Sequence, residues 1–107
     1  MIGRMPVEVR IEGSTIRLSF CDGNAEKFIT LNEFPYSLFQ MIEDADCAGA
    51  GVEIKFTIEG IPATAVTGLD TVAILISDIN MELVALKSEL AFLAEDINEA
   101  YFCREAA

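Results

Sequence analysis

The first residues in this chain with the type and spacing for chemistry are Glu43-Asp44-Ala45-Asp46. Clustered carboxylates attract cations, and Asp44, Asp46 and Gly49 stand at positions one, three and six of a calcium-binding loop. The pattern then fails. Position five is Ala48 and position twelve is Lys55, where a bidentate glutamate is needed. No metal is expected. The acids sit where a helix should end, and carboxylates there oppose the helix dipole. Glu43, Asp44 and Asp46 are therefore candidates for contact with a basic protein partner, with a plain solvated turn as the alternative.

The three cysteines, Cys21, Cys47 and Cys103, are widely spaced and form no CxxC pair, and the chain has no histidine. A nucleophilic thiol needs a base or a lowered pKa, and acidic or apolar neighbours supply neither. The odd number points to free thiols in a reducing, cytoplasmic setting, and zinc is not expected. Serine hydrolysis lacks both a base and a G-x-S-x-G elbow, and no phosphate-binding glycine fingerprint is present. Paired-carboxylate glycoside chemistry is compatible with the acids alone, but a chain of 107 residues leaves little room for a sugar cleft. The expectation is no catalytic residue and no cofactor, with a small enzyme of unknown chemistry as the weakest alternative.

The net charge of −11 is unevenly placed. Acids and bases balance up to Leu31, and the whole excess lies beyond it, where only Lys55, Lys87 and Arg104 are basic. Such a field repels nucleic acid and anionic membranes and favours basic protein surfaces. No apolar run is long enough to span a bilayer, and the start carries no apolar signal-peptide core.

The elements that must position these groups are mostly β. Val7, Val9 and Ile11 alternate with Glu8, Arg10 and Glu12, and Ile16, Leu18 and Phe20 alternate with Arg17 and Ser19. With Gly13-Ser14 between them this predicts a hairpin. Cys21-Asp22-Gly23-Asn24 is a second turn, and Lys27 to Leu31 a third strand. Asn32 as cap and Pro35 in the first turn predict a helix to about Asp46. Its buried stripe is Leu38, Met41, Ile42 and Ala45. Phe34-Pro35-Tyr36 at its start makes Phe34 and Tyr36 a second candidate partner contact, since exposed aromatics beside acids resemble binding hot spots. The alternative is that these rings close one end of the core. Val52 to Ile58 and Ala63 to Thr67 predict two more strands around a Glu59-Gly60-Ile61-Pro62 turn. Val7-Glu8-Val9-Arg10 and Val52-Glu53-Ile54-Lys55 both lead into Ile-Glu-Gly, a faint sign of a duplicated unit or of two similar hairpins.

The longest pattern is the last. Leu69, Val72, Ile76, Ile79, Leu83, Leu86, Leu90, Leu93, Ile97 and Ala100 recur at alternating three- and four-residue spacing, the period at which helices pair. One helix over 69–104 would be roughly 54 Å long at about 1.5 Å per residue, too long for the rest of the chain to cover. A second copy would cover it, making residues 69, 72, 76, 79, 83, 86, 90, 93 and 97 a dimer interface. The β-branched run at 72–76 allows a sixth strand instead, with Asp78 capping a shorter helix.

The expected fold is therefore α+β in a single domain over 1–107. A four- to five-stranded, mainly antiparallel sheet in the order βββ-α-ββ-α occupies 1–68 with one short helix, and a long coiled-coil-like helix follows. In size and acidity the chain resembles small acidic dimeric secretion chaperones, although a helix ahead of the sheet is not expected here. The expected function is a non-enzymatic, acidic protein-interaction module (adaptor, chaperone or inhibitor) acting as a homodimer. A DNA mimic that occupies a nucleic-acid-binding protein is the alternative, with Glu82, Glu89 and Asp96 as its line of charge.

Overall fold

The computed structural model of the protein describes residues 7–13, 15–22 and 25–106. Three strands, β1 (Val7–Glu12), β2 (Thr15–Asp22) and β3 (Ala25–Leu31), form an antiparallel meander and lead into helix α1 (Tyr36–Cys47). Four more, β4 (Glu53–Ile58), β5 (Ile61–Thr67), β6 (Thr71–Ile76) and β7 (Met81–Leu86), form a second antiparallel meander and lead into helix α2 (Lys87–Ala106). The class is α+β, as the alternation of the strands requires. The order is βββ-α-ββββ-α, and the strands belong to two sheets rather than one.

The main correction falls on residues 69–86. They form no helix. Residues 71–86 are a β-hairpin, with Val72 opposite Ala85 and Ile74 opposite Leu83, and a single 3-10 turn at Ser77–Ile79 joins its strands. The alternative start at Asp78 is also displaced, because a seventh strand intervenes before α2. The physical reason is a coincidence of periods. Val72 and Ile76 are four residues apart, so they share a face in a helix and equally in a strand. Ile74 and the alternation of Met81, Leu83 and Ala85 distinguish the two, and all of them face the core. Asn80 adopts a left-handed conformation at φ 49°, which asparagine tolerates better than most residues. The backbone can thus reverse there.

Shortening the helix removes the problem of covering it. Its 20 residues span about 30 Å, which matches a molecule of 41 × 30 × 30 Å. Leu90, Leu93, Ile97, Ala100 and Tyr101 form its buried face. They meet Leu18 and Phe20 of the first sheet, Phe56, Ile74 and Ile76 of the second, and Leu38 and Met41 of α1 in one continuous core. A small apolar void of about 20 Å³ remains between Leu18, Phe20, Leu38, Phe56, Ile58, Ile74, Ile76 and Leu93.

Local chemistry sets the other boundaries. Asn32 does not cap α1. Pro35 stands at that position, and α1 begins without a side-chain cap. Asn32 instead turns to the β4–β5 hairpin, where the Glu59 carboxylate accepts hydrogen bonds from its backbone N–H and its amide at 3.2 and 3.4 Å. α2 starts directly from β7. Glu89 Oε1 accepts from the Leu86 backbone N–H at 2.8 Å, the acidic half of a capping box, and the Asp70 carbonyl accepts from the Lys87 N–H at 2.8 Å.

The two Ile-Glu-Gly segments are not equivalent. In the first hairpin Glu12 is still paired, opposite Thr15. In the second Ile58 pairs with Ile61, so Glu59 and Gly60 are the loop. Ile11 is on the same face as its buried partner Ile16 but stands 47% exposed on edge strand β1, whereas Ile58 is buried. The echo is one of sequence only.

Glu59 and Gly60 have φ of 52° and 79°, as a two-residue primed turn needs. Gly60→Ala is expected to cost about 1 kcal/mol or more through left-handed strain alone, since no atom lies within 4 Å of the added methyl. Gly49 is equally unobstructed and its φ is not positive, so Gly49→Ala should be neutral or stabilising by up to about 1 kcal/mol. Urea unfolding of the pair tests this, and equal losses would disprove the backbone account.

Candidate functional site

Each residue of the expected dimer seam has a definite place. Val72, Ile76 and Leu83 point inward from β6 and β7, and Leu90, Leu93 and Ile97 point inward from α2. Those six are inside the protein's own core. Ile79 is half-buried in the turn between β6 and β7. Leu69 and Leu86 remain outside, at 79% and 43% exposure. The continuous helical seam is therefore absent, and its two exposed members lie together at one end of the second sheet.

There they enter an open cleft of about 680 Å³ lined by Asp46, Ala48, Gly49, Leu69, Asp70, Leu86, Lys87 and Ser88. Three segments build it. The end of α1 and the loop after it supply Asp46, Ala48 and Gly49, the β5–β6 connection supplies Leu69 and Asp70, and the β7–α2 junction supplies Leu86, Lys87 and Ser88. Lys87 Nζ donates to the Ala48 carbonyl at 2.9 Å, so the one ammonium among the described residues that line the cleft is already engaged by the residue after α1. The wall formed by the 48–52 loop is held by Thr67, a buried residue of β5. Its hydroxyl donates to the Gly49 carbonyl at 2.6 Å and accepts from the Val52 N–H at 3.0 Å. Its backbone carbonyl accepts from Gly51 and its N–H donates to Val52. The cleft thus combines a fixed wall, an exposed leucine pair and two carboxylates, Asp46 and Asp70.

The other sequence candidates separate. Asp44 and Asp46 lie in the last turn of α1, so the residues numbered as a calcium loop are partly helix. Asp44 Oδ1 accepts from the Gln40 amide at 3.0 Å, and Glu43, Asp44 and Asp46 are all exposed. Phe34 and Tyr36 are at the opposite end of α1, about 15 Å away at helical rise. Phe34 is packed in an aromatic cluster, with ring centroids 4.6 Å from Phe39, 4.8 Å from Tyr36 and 5.3 Å from Tyr101. The Tyr101 hydroxyl donates to the Glu33 carbonyl. Phe34 thus closes one end of the core, while Tyr36 is 77% exposed.

The proposed line of acids also divides. Glu82 is on the outer face of β7, Glu89 faces its own helix start, and Asp96 lines a shallower groove of about 310 Å³ with Val9, Ile11, Glu99 and Ala100. Of the cysteines, Cys47 is a free, exposed thiol, while the side chains of Cys21 and Cys103 lie outside the described residues, as does Gly23-Asn24 of the second expected turn. No helix among the described residues is long and apolar enough to cross a membrane, and no group of three metal-binding side chains occurs among them.

Sequence reasoning missed Asp70, Lys87, Gly49 and Ser88 as neighbours of Leu69. The available signal was Leu69 itself, a large apolar residue between Gly68 and Asp70, where a connection should be polar. Comparison of the chain with protein-family models, with characterised proteins and with solved structures finds no match.

Proposed function

We propose that the protein is a non-enzymatic protein-interaction module that works as a homodimer and receives a basic, amphipathic segment of a partner in the cleft beside Leu69. The observation that carries this reading is the cleft's composition: Leu69 stands 79% exposed in a cleft that it lines together with Leu86, Asp46 and Asp70. A leucine side chain left in water forgoes about 1.5–3 kcal/mol of burial, and a partner that covers it recovers that energy. Carboxylates at the rim select a cationic segment and speed its approach. The acidic excess beyond Leu31 extends the same preference over the surface around it.

The test uses a labelled helical peptide of alternating Leu and Lys faces as probe, titrated into the protein, with its Leu/Glu counterpart as control. Binding of the basic probe should weaken about tenfold or more in Leu69→Ser combined with Asp70→Lys, and the acidic probe should not bind. Equal affinity of wild type and variant would remove the cleft from the reading. Displacement of the probe's binding by neither variant nor salt would argue against an acidic docking surface altogether.

A further inference from the structure

We propose that the outer face of the four-stranded sheet is the surface on which two copies of this chain pack, about a two-fold axis parallel to the strands and between β5 and β6. The inference rests on the homodimer in the reading above and assigns it a place other than the C-terminal helix. The register of the sheet sets out the face. One outward row runs Val84–Ala73–Val66–Glu53 across β7, β6, β5 and β4, and the next runs Glu82–Leu75–Thr64–Lys55. Val84 is 60% exposed, and Leu86 and Val66 are exposed beside it. Ala73, Thr64 and Leu75 are only half-covered at the centre of the sheet. Neither helix lies on this side, because both pack against the inner faces where the core residues converge.

Two of the three charges in these rows, Glu82 and Lys55, are placed to recognise themselves, while the third, Glu53, falls opposite Val84 at the rim. Glu82 is on one edge strand and Lys55 on the other, in the same row. An axis parallel to the strands lays β7 of one copy over β4 of the other at the same level. Glu82 then meets Lys55 of the second copy and Lys55 meets its Glu82, while Leu75, Ala73, Thr64 and Val66 pack between. An axis perpendicular to the strands along this row lays each strand over its own copy and sets Glu82 against Glu82, which is repulsive. Two antiparallel sheets pack in this way at about 10 Å separation and roughly −30°, within reach of lysine and glutamate side chains. A heterologous basic partner fits the face less well, since its apolar centre is neutral and its own lysine stands at the edge.

Four strands at roughly 4.8 Å spacing and six residues at roughly 3.4 Å rise cover on the order of 400 Å². That is small for a specific interface, so the dimer should be weak, with a dissociation constant on the order of tens to hundreds of micromolar. Sedimentation equilibrium of wild type, Lys55→Glu, Glu82→Lys and an equimolar mixture of the two variants tests the proposal. Each variant alone should dimerise about tenfold more weakly or worse, because both inter-copy pairs turn repulsive, and the mixture should form heterodimers at least as tight as the wild type. A wild type that stays monomeric to about 1 mM overturns the proposal. So does a wild-type dimer that ignores both substitutions, or a mixture that recovers nothing. Val84→Glu, at an exposed position in the same face, should weaken the dimer as well. Neither Lys55 nor Glu82 lines the Leu69 cleft, so peptide binding there is measured separately, with the probe titrated into wild type and both variants at one salt concentration.

Discussion

Ile97→Ala should lower the free energy of unfolding by about 2–5 kcal/mol, the range for removing a large aliphatic side chain from a packed core. Ile97 is fully buried, at 0% exposure, on the face of α2 that meets both sheets. Leu69→Ala should change stability by less than about 0.5 kcal/mol, as exposed substitutions do. The pair is informative because one sequence pattern contains both residues at equivalent positions. If that pattern were a helical seam shared by two copies, the two substitutions would have similar effects, both dependent on protein concentration. The hairpin structure instead predicts a large, concentration-independent loss at Ile97 and almost none at Leu69. Urea unfolding at two protein concentrations decides between them, and losses within about 1 kcal/mol of each other would count against the structure.

Thr67→Val should cost about 1–3 kcal/mol, while Thr67→Ser should cost less, because serine keeps the hydroxyl. Valine preserves the shape and the β-branching but leaves the Val52 N–H and the Gly49 carbonyl without the partner they share. An unsatisfied polar group at a part-buried position incurs its desolvation cost. The consequence extends past stability. Thr67 is the residue that fixes the 48–52 loop against β5, so Thr67→Val should also increase hydrogen exchange at Gly51 and Val52, whose N–H groups it and its hydroxyl hold. A stable variant with unchanged exchange in that loop would show that the loop does not depend on the hydroxyl.

Much of the first 68 residues was legible in the sequence because each segment follows a single period. Val9, Arg10 and Ile11 alternate as a strand should, and Leu38, Met41, Ile42 and Ala45 recur as a helix should, and both patterns appear in the structure. The charged residues Glu8, Arg10, Glu12 and Arg17 that alternate with the apolar ones lie outward, with Arg10–Glu8 and Arg17–Glu12 pairs at 2.7 and 3.0 Å, and Glu53 and Lys55 lie outward on the second sheet. The failure at 69–86 has a cause in the same reasoning. A spacing of four satisfies a strand and a helix together, so Val72 and Ile76 fit both, and the phase of the true helix at Leu90, Leu93 and Ile97 continues the coincidence.

Residue types and their local order determined the number of apolar faces, the two tight turns at Gly13 and Gly60, the excess of acid beyond Leu31 and the α+β class. Those properties depend on neighbours within a few positions, and each residue carries its own preference for them. The division into two sheets, the cleft that brings Asp46 to Leu69 and Asp70, and the burial of the apparent seam depended on contacts between segments far apart in the chain. Ile97 is interior because α2 has both sheets and α1 to lie against, and Leu69 is exterior because no described segment returns to cover the turn before β6. Burial of an apolar side chain is a property of what surrounds it, and periodicity along the chain specifies only which residues share a face.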